Sequence, residues 1–193
     1  MIKTIIRSCL AGLLIAFAGA IYLNCENKIV GSLLFSVGLI SVILFQADLF
    51  TGKVGYIDSK DTLKNSIIIL VVNLLVAFLV GLIYRFCIGE TTAMDSRLDK
   101  NVWRLLFDSY LCGICIYAAV EGFKMTNRKS ILVIIIPVMC FILGKGEHCV
   151  ADAFYYGSAA LTWKGLGILG IVVLGNSAGS LTINYLKKWG AKE

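Results

Sequence analysis

The chain has 193 residues, of which 59% are hydrophobic and only 16% are charged, and its formal net charge is +6. This hydrophobic fraction lies above the roughly 45–50% of soluble domains, which excludes a water-soluble enzyme of this length. The apolar residues form continuous blocks and do not alternate with polar ones, which excludes a transmembrane β-barrel. We therefore expect an all-α polytopic membrane protein that forms a single domain over residues 1–193.

Six apolar blocks are long enough to cross a bilayer, since a helical span needs about 20 residues. Their boundaries are 4–24, 29–57, 66–87, 102–123, 130–160 and 164–186. The second and fifth blocks are longer than one span requires, and each contains a polar interruption. These two blocks are therefore predicted to be broken helices.

The two halves of the chain repeat the same order of elements. Each half contains a plain span, a broken span and a span with one asparagine, Asn73 or Asn176. Because three spans per half force the halves into opposite orientations, the pattern predicts a 3+3 inverted repeat whose two breaks meet near the midplane. Glycines in spans one, two and six should allow close helix contacts; they are Gly12, Gly19, Gly31, Gly38, Gly167, Gly170, Gly175 and Gly179.

The distribution of lysine and arginine predicts the orientation of the spans. Ten basic residues fall on the side that holds both termini, and six fall on the other. The ten are Lys3, Arg7, Lys60, Lys64, Lys124, Arg128, Lys129, Lys187, Lys188 and Lys192. Both termini are therefore expected in the cytoplasm. The net charge reflects this bias, so nucleic-acid binding is not expected.

The first interruption, residues 46–53, has two readings. Gly52 would permit the turn, and Thr51 either caps the following half-helix or offers its hydroxyl to an ion. The free N–H groups at the start of a half-helix favour an anion. A helix kink with a capping threonine is the simpler reading.

The second interruption, residues 144–152, contains the only histidine of the chain, His148, beside Glu147 and Lys145. Ionisable groups at membrane depth usually mark a polar path or a site, and histidine titrates near neutral pH. Glu147 is expected to orient the break by accepting hydrogen bonds from its backbone. Lys145 either attracts anions or pairs with Asp48 or Glu147. One histidine with Cys149 and Asp152 is a poor metal site, so neither a metal nor a cofactor is expected.

Three motifs together resemble the formate/nitrite transporter family. They are Leu-Phe-Thr-Gly at 49–52, Glu-His-x-Val-Ala at 147–151 and Gly-Asn-x-x-Gly at 175–179. Asn73 resembles the other membrane asparagine of that family. The resemblance covers nearly the whole chain.

The resemblance implies an aquaporin-like fold of six spans, a homopentamer and one pore per protomer. It implies passage of formate, nitrite or hydrosulfide, and it places the central threonine and histidine of the family on Thr51 and His148. The two apolar constrictions of the family fall on Phe35 with Phe141, and on Leu39 with Phe50.

The chain departs from the common family pattern around His148. A usual glycine is Lys145, a usual phenylalanine is Gly146 and a usual asparagine is Asp152. Lys53 stands where a small or neutral residue is common. These differences alter the charge of the pore, so they bear on the substrate more than on the fold.

The sequence therefore predicts an inner-membrane channel or transporter for small monovalent anions. The predicted residues of the substrate pathway are Thr51, His148, Lys145, Glu147, Asn73 and Asn176. One alternative is a channel for a neutral solute such as ammonia or water. The chain lacks an Asn-Pro-Ala pair, which disfavours a water channel. The second alternative is a membrane protein without a transport function.

Overall fold

The computed structural model describes residues 1–191, and Lys192, which contributed to the orientation count, lies outside them. Within this range every regular element is helical, apart from one isolated bridge between Thr91 and Ala159. The α-helices are α1 (Ile2–Leu23), α2 (Lys28–Leu44), α3 (Phe50–Lys53), α4 (Lys60–Ile88), α5 (Asp95–Leu98), α6 (Val102–Met125), α7 (Leu132–Leu143), α8 (Cys149–Ser158) and α9 (Trp163–Gly190). A short 3₁₀ helix, Val54–Tyr56, follows α3.

Four helices are long and apolar enough to cross a membrane, namely α1, α4, α6 and α9. They coincide with the first, third, fourth and sixth predicted blocks, although α4 begins six residues earlier than its block at Lys60. The capping residues fix these starts, because Ser59, Asn101 and Thr162 each accept a hydrogen bond from the first turn of the helix that follows.

The second block contains α2, α3 and the 3₁₀ helix, and the fifth contains α7 and α8. Both α2 and α7 end in the same way. Gln46 and Lys145 adopt left-handed conformations with φ of 53° and 60°. The next amide then bonds back five residues, from Ala47 to Val42 and from Gly146 to Phe141. This is the Schellman arrangement, which usually has glycine at the left-handed position.

The expectation that Gly52 makes the first turn is therefore wrong. Gly52 lies inside α3, and neither Gly144 nor Gly146 has a positive φ. The left-handed residues are Gln46 and Lys145, whose side chains gave no such signal in the sequence.

Glycines allow the closest helix contacts of the bundle. A Cβ at Gly81 would overlap the carbonyl oxygen of Phe154, where α4 crosses α8. A Cβ at Gly113 would likewise overlap the carbonyl oxygen of Asn176, where α6 runs along α9. The prediction of close contacts at Gly167 and Gly170 is wrong, because an added Cβ there meets nothing within 4 Å.

The start of α1 and the end of α9 lie at the same end of the bundle. Lys187, near the end of α9, donates to Glu121 of α6. One turn further along α6, Lys124 lines a cavity together with Arg7 of α1. At the opposite end, residues 89–101 connect α4 to α6 and carry the short helix α5.

Candidate functional site

Two cavities approach the interior from opposite ends of the bundle. The first, here the terminal-side cavity, has a volume of about 450 Å³ and is lined by Leu39, Leu49 and other apolar residues. Its wall carries four basic side chains, Arg7, Lys53, Lys124 and Arg128. The second, here the loop-side cavity, has a volume of about 1070 Å³ and reaches Phe35, Phe141 and His148.

Thr51 and His148 meet between these cavities. Thr51 belongs to α3 and is 1% exposed, and His148 immediately precedes α8 and is 2% exposed. Thr51 Oγ1 lies 2.9 Å from His148 Nε2. Two polar side chains that are 97 residues apart thus form a buried hydrogen bond, each beside the start of a different short helix.

The second hydrogen bond of His148 determines its tautomer. Nδ1 accepts from the backbone N–H of Ala151 at 3.2 Å, so His148 is the N-cap of α8. A nitrogen that accepts carries no proton, and the proton of the neutral ring therefore lies on Nε2. Nε2–H donates to Thr51 Oγ1, which leaves the hydroxyl hydrogen of Thr51 free to bind another group.

Thr51 does not cap a helix, contrary to one reading of the sequence. Leu49 occupies the N-cap position of α3, without a side-chain capping bond. The hydroxyl of Thr51, in the first turn of α3, points to His148 instead.

Aromatic and aliphatic side chains lie on either side of the pair. The rings of Phe35 and Phe141 pack edge to face, with centroids 6.2 Å apart, and Phe141 stacks on His148 at 6.1 Å. Leu39 lines the terminal-side cavity, as does Leu49. Phe50 is buried but does not line either cavity. The sequence did not place Leu49 along the path, because an apolar residue in a span is typical of ordinary membrane core.

The two asparagines hold the starts of α3 and α8 by equivalent hydrogen bonds. Asn73 accepts from the N–H of Phe50 at 2.8 Å and donates to the carbonyl oxygens of Asp48 and Ser8. Both asparagines are fully buried.

Asn176 repeats this arrangement in the second half. It accepts from the N–H of Cys149 at 2.9 Å and donates to the carbonyl oxygens of Glu147 and Ser109, each at 2.8 Å. Asn73 and Asn176 therefore position the backbone on which Thr51 and His148 lie, and they do not line either cavity.

Glu147 binds side chains of the 89–101 connection and not the broken backbone, so the expectation for its carboxylate is wrong. Oε1 accepts from Lys100 Nζ at 2.6 Å. Oε2 lies 2.8 Å from Arg97 Nε, whose N–H points to Asp152 Oδ1 at 2.8 Å. These partners come from residues that are 47 and 50 positions away, which no local pattern indicates.

Lys100 bridges two buried acids. Its ammonium lies 2.6 Å from Glu147 and 2.7 Å from Asp108 of α6, which also pairs with Arg104. In the first half, the residue before Ser8 is Arg7, and Arg7 lies 3.8 Å from Asp48. In the second half, the residue equivalent to Arg7 is Asp108, which precedes Ser109, and the residue equivalent to Asp48 is Glu147. Both are acidic. A third residue, Lys100, supplies the positive charge between them.

Lys145 pairs with neither Asp48 nor Glu147 among the ion pairs of residues 1–191. Asp48 pairs with Lys53 at 3.2 Å and with Arg7. The side chain of Lys145 is exposed at the wall of the loop-side cavity, and its carbonyl oxygen accepts from Lys100 at 3.0 Å. The ammonium of Lys145 is thus available to solutes in that cavity.

Comparisons with known proteins give the family. A sequence model described as formate/nitrite transporter matches residues 1–190. The formate channel FocA of Haemophilus influenzae is 24% identical over 200 aligned residues, which cover 82% of this chain and 69% of that protein. An uncharacterized transporter of Bacillus subtilis, YrhG, is 25% identical over 162 residues, which cover 71% of this chain and 61% of that protein.

Two solved structures have the same fold. One is described as a pentameric formate channel with formate bound, with a TM-score of 0.83 and 20% identity over 98% of this chain and 96% of that chain. The other is described as an FNT family ion channel, with a TM-score of 0.80 and 21% identity over 98% of this chain and 88% of that chain. The chain belongs to the formate/nitrite transporter family of membrane transporters and channels.

Proposed function

We propose that the protein is a channel for small monovalent anions of weak acids, such as formate, nitrite or hydrosulfide. The observation that carries the proposal is the buried contact between Thr51 and His148, which lies between two opposed cavities. Family membership and the formate channels among its relatives support it. Membership also argues against the alternative of a membrane protein without a transport function.

The proposed path runs from one cavity to the other through two apolar constrictions. Phe35 and Phe141 form the constriction on the loop side. Leu39 forms the other with Phe50, to which we add Leu49 because it lines the terminal-side cavity, as Leu39 does. A bare charge is costly in such slits, because the surrounding groups cannot replace its water.

Thr51 and His148 lower that cost between the constrictions. With Nε2–H donating to Thr51, the hydroxyl hydrogen of Thr51 is the donor offered to an anion. The Nε2–H of His148 becomes a second donor to the anion when the hydroxyl of Thr51 rotates away from it. His148 also begins α8, whose ten residues present the positive end of their dipole to the same point. A neutral ring keeps the attraction modest, so an anion is stabilised without being trapped.

We also propose the finer architecture that the sequence predicts. It comprises six spans in a 3+3 inverted repeat, aquaporin-like, with the second and fifth helices broken. The matching bonds of Asn73 and Asn176 support the repeat, as do the matching Schellman ends of α2 and α7. The proposed assembly is a homopentamer in the inner membrane, with both termini cytoplasmic. One structural neighbour is a pentamer, and the terminal-side cavity carries four basic side chains.

Flux in proteoliposomes tests the function. Formate, nitrite, hydrosulfide and acetate are compared with glycerol at two pH values, with wild-type protein and His148→Phe. We expect passage of at least one anion, little glycerol, and no anion flux in the variant. Gel filtration checks that the variant remains assembled.

Two outcomes would overturn the proposal. Wild-type anion flux in His148→Phe would remove the role of the histidine. Passage of ammonia or glycerol without any anion would favour the neutral-solute channel instead.

A further inference from the structure

We propose that Arg97 and Asp152 set the charge of the loop-side cavity, and that this pair determines how strongly the cavity holds an anion before it reaches Phe35 and Phe141. The inference rests on the proposed function and adds a specificity-determining pair that does not touch Thr51. The loop-side cavity is lined by both residues as well as by His148.

Asp152 is the most enclosed charged group of this region. It lies in the first turn of α8 and is 0% exposed. Oδ1 accepts from Arg97 Nε at 2.8 Å, and Oδ2 has no hydrogen-bond partner among the residues that the structure describes. A buried carboxylate with one unpartnered oxygen is costly, and it remains charged here only because Arg97 faces it.

Arg97 is held in place from several directions. Its guanidinium lies 4.7 Å from the centre of the Tyr155 ring and donates to the carbonyl oxygen of Ala93 at 2.6 Å. Burial lowers the pKa of Arg97, but Asp152 and Glu147 raise it by more, so the net pKa lies above its ordinary value. The group therefore carries its positive charge at every physiological pH.

Four linked charges sum to zero beside the pore. Arg97 lies 2.8 Å from both Asp152 and Glu147, and Glu147 lies 2.6 Å from Lys100. Two basic and two acidic side chains thus cancel. The cavity wall as a whole is also nearly balanced, with five basic and four acidic side chains, whereas the terminal-side cavity has four basic and no acidic ones in its lining.

The consequence is a loop-side cavity that attracts anions weakly. Adding or removing one unit charge near the pore changes the occupancy of a monovalent anion by about tenfold, for a separation near 10 Å and an effective dielectric constant near 20. Removal of the Asp152 charge alone should therefore strengthen anion binding, whereas loss of both charges of the pair should leave it nearly unchanged.

Three variants test the charge sum against wild type. Asp152→Asn changes the sum to +1. Arg97→Gln leaves the buried Asp152 without its counter-charge, so the carboxylate is protonated and the sum stays at zero. The double variant Arg97→Gln with Asp152→Asn also has a sum of zero. The measurement is the half-saturating concentration of formate, nitrite or hydrosulfide in proteoliposomes at low ionic strength. We expect it to fall about tenfold in Asp152→Asn and to stay within about threefold of wild type in Arg97→Gln and in the double variant.

If Arg97 and Asp152 had only a structural role, the variants would show a different pattern of flux. Both single variants would then lose flux, and the double variant would be no better than either, which would overturn the inference. Equal half-saturation in all four proteins would also overturn it. High salt should reduce the gain of Asp152→Asn, because screening weakens charge effects.

A second comparison applies if Arg97→Gln does not assemble. Glu147→Gln also changes the charge sum to +1, so its half-saturating anion concentration should fall, as in Asp152→Asn. A rise in Glu147→Gln would contradict the inference. Failure of wild type to pass any of the three anions would refute the proposed function. If the wild-type protein passes an anion but the half-saturating concentrations of the variants do not follow their charge sums, this inference alone is refuted.

Discussion

Asn73 and Asn176 make the same three hydrogen bonds in the two halves of the chain. Each amide oxygen accepts from the backbone at the start of a short helix, and each amide nitrogen donates to two carbonyl oxygens. Each side chain thus replaces backbone bonds that the helix break removes. Because the groups are buried, water is not available to replace an asparagine that is lost.

Replacement of Asn73 or Asn176 by alanine should lower the free energy of unfolding by roughly 2–5 kcal/mol, since three buried backbone groups lose their partner. Thermal unfolding in detergent measures this. Asn184→Ala is the matched control, because Asn184 is also buried but, within residues 1–191, accepts only one side-chain bond, from Tyr117. It should cost about 1 kcal/mol. An equal effect of all three variants would contradict the bridging role.

Thr51→Val should reduce anion flux by about tenfold or more, because the variant keeps the shape of Thr51 but removes its hydroxyl. The Nε2–H of His148 then loses a buried partner, at a cost of roughly 1–3 kcal/mol. Radiolabelled formate uptake or light scattering in proteoliposomes measures the flux. Thr51→Ser retains the hydroxyl and should stay near wild type. If valine and serine behaved alike, the hydroxyl would have no role.

Lys145→Gly should melt at a higher temperature than Lys145→Ala. Both variants remove the charge, but only glycine relieves the left-handed backbone at φ 60°, which costs other residues roughly 1 kcal/mol. Gln46→Gly and Gln46→Ala should show the same order, at φ 53°. Melting curves of the four purified variants make the comparison. A lower melting temperature for the glycine variants would show that neither turn is strained.

Gly113→Ala should prevent folding or cost about 3 kcal/mol, because the new Cβ would overlap the carbonyl oxygen of Asn176. Gly170→Ala is the same substitution at a helical position where the Cβ meets nothing within 4 Å. It should be neutral or stabilise by up to about 1 kcal/mol. Expression level and thermal unfolding distinguish the two. Similar losses in both variants would contradict the packing argument.

The sequence predicted the parts of the fold that depend on local pattern. The blocks that became α1, α4, α6 and α9 were visible as apolar runs, and the interruptions at 46–53 and 144–152 coincide with the ends of α2 and α7. The repeat predicted that the two breaks meet, but only the family resemblance singled out Thr51 and His148, which are 97 residues apart, within them.

Two kinds of feature could not be predicted. The first turn was assigned to Gly52 from the usual preference of glycine, whereas the left-handed residues of the two turns are Gln46 and Lys145. The partners of Glu147 were also missed, because Arg97 and Lys100 lie in a polar connection whose residues have no helical period. Charge pairs between distant segments leave no trace in composition or spacing.

Lys100 belongs to the connection between the halves and to neither set of long helices. The first half balances Asp48 with basic residues of its own. The second half pairs Asp108 with its own Arg104, but the basic partners of Glu147, Arg97 and Lys100, lie in the connection. The connection is therefore a structural part of the second half and not a tether. The two halves are unequal modules: the first contains its own counter-ions, and the second is electrostatically complete only together with the segment that precedes it.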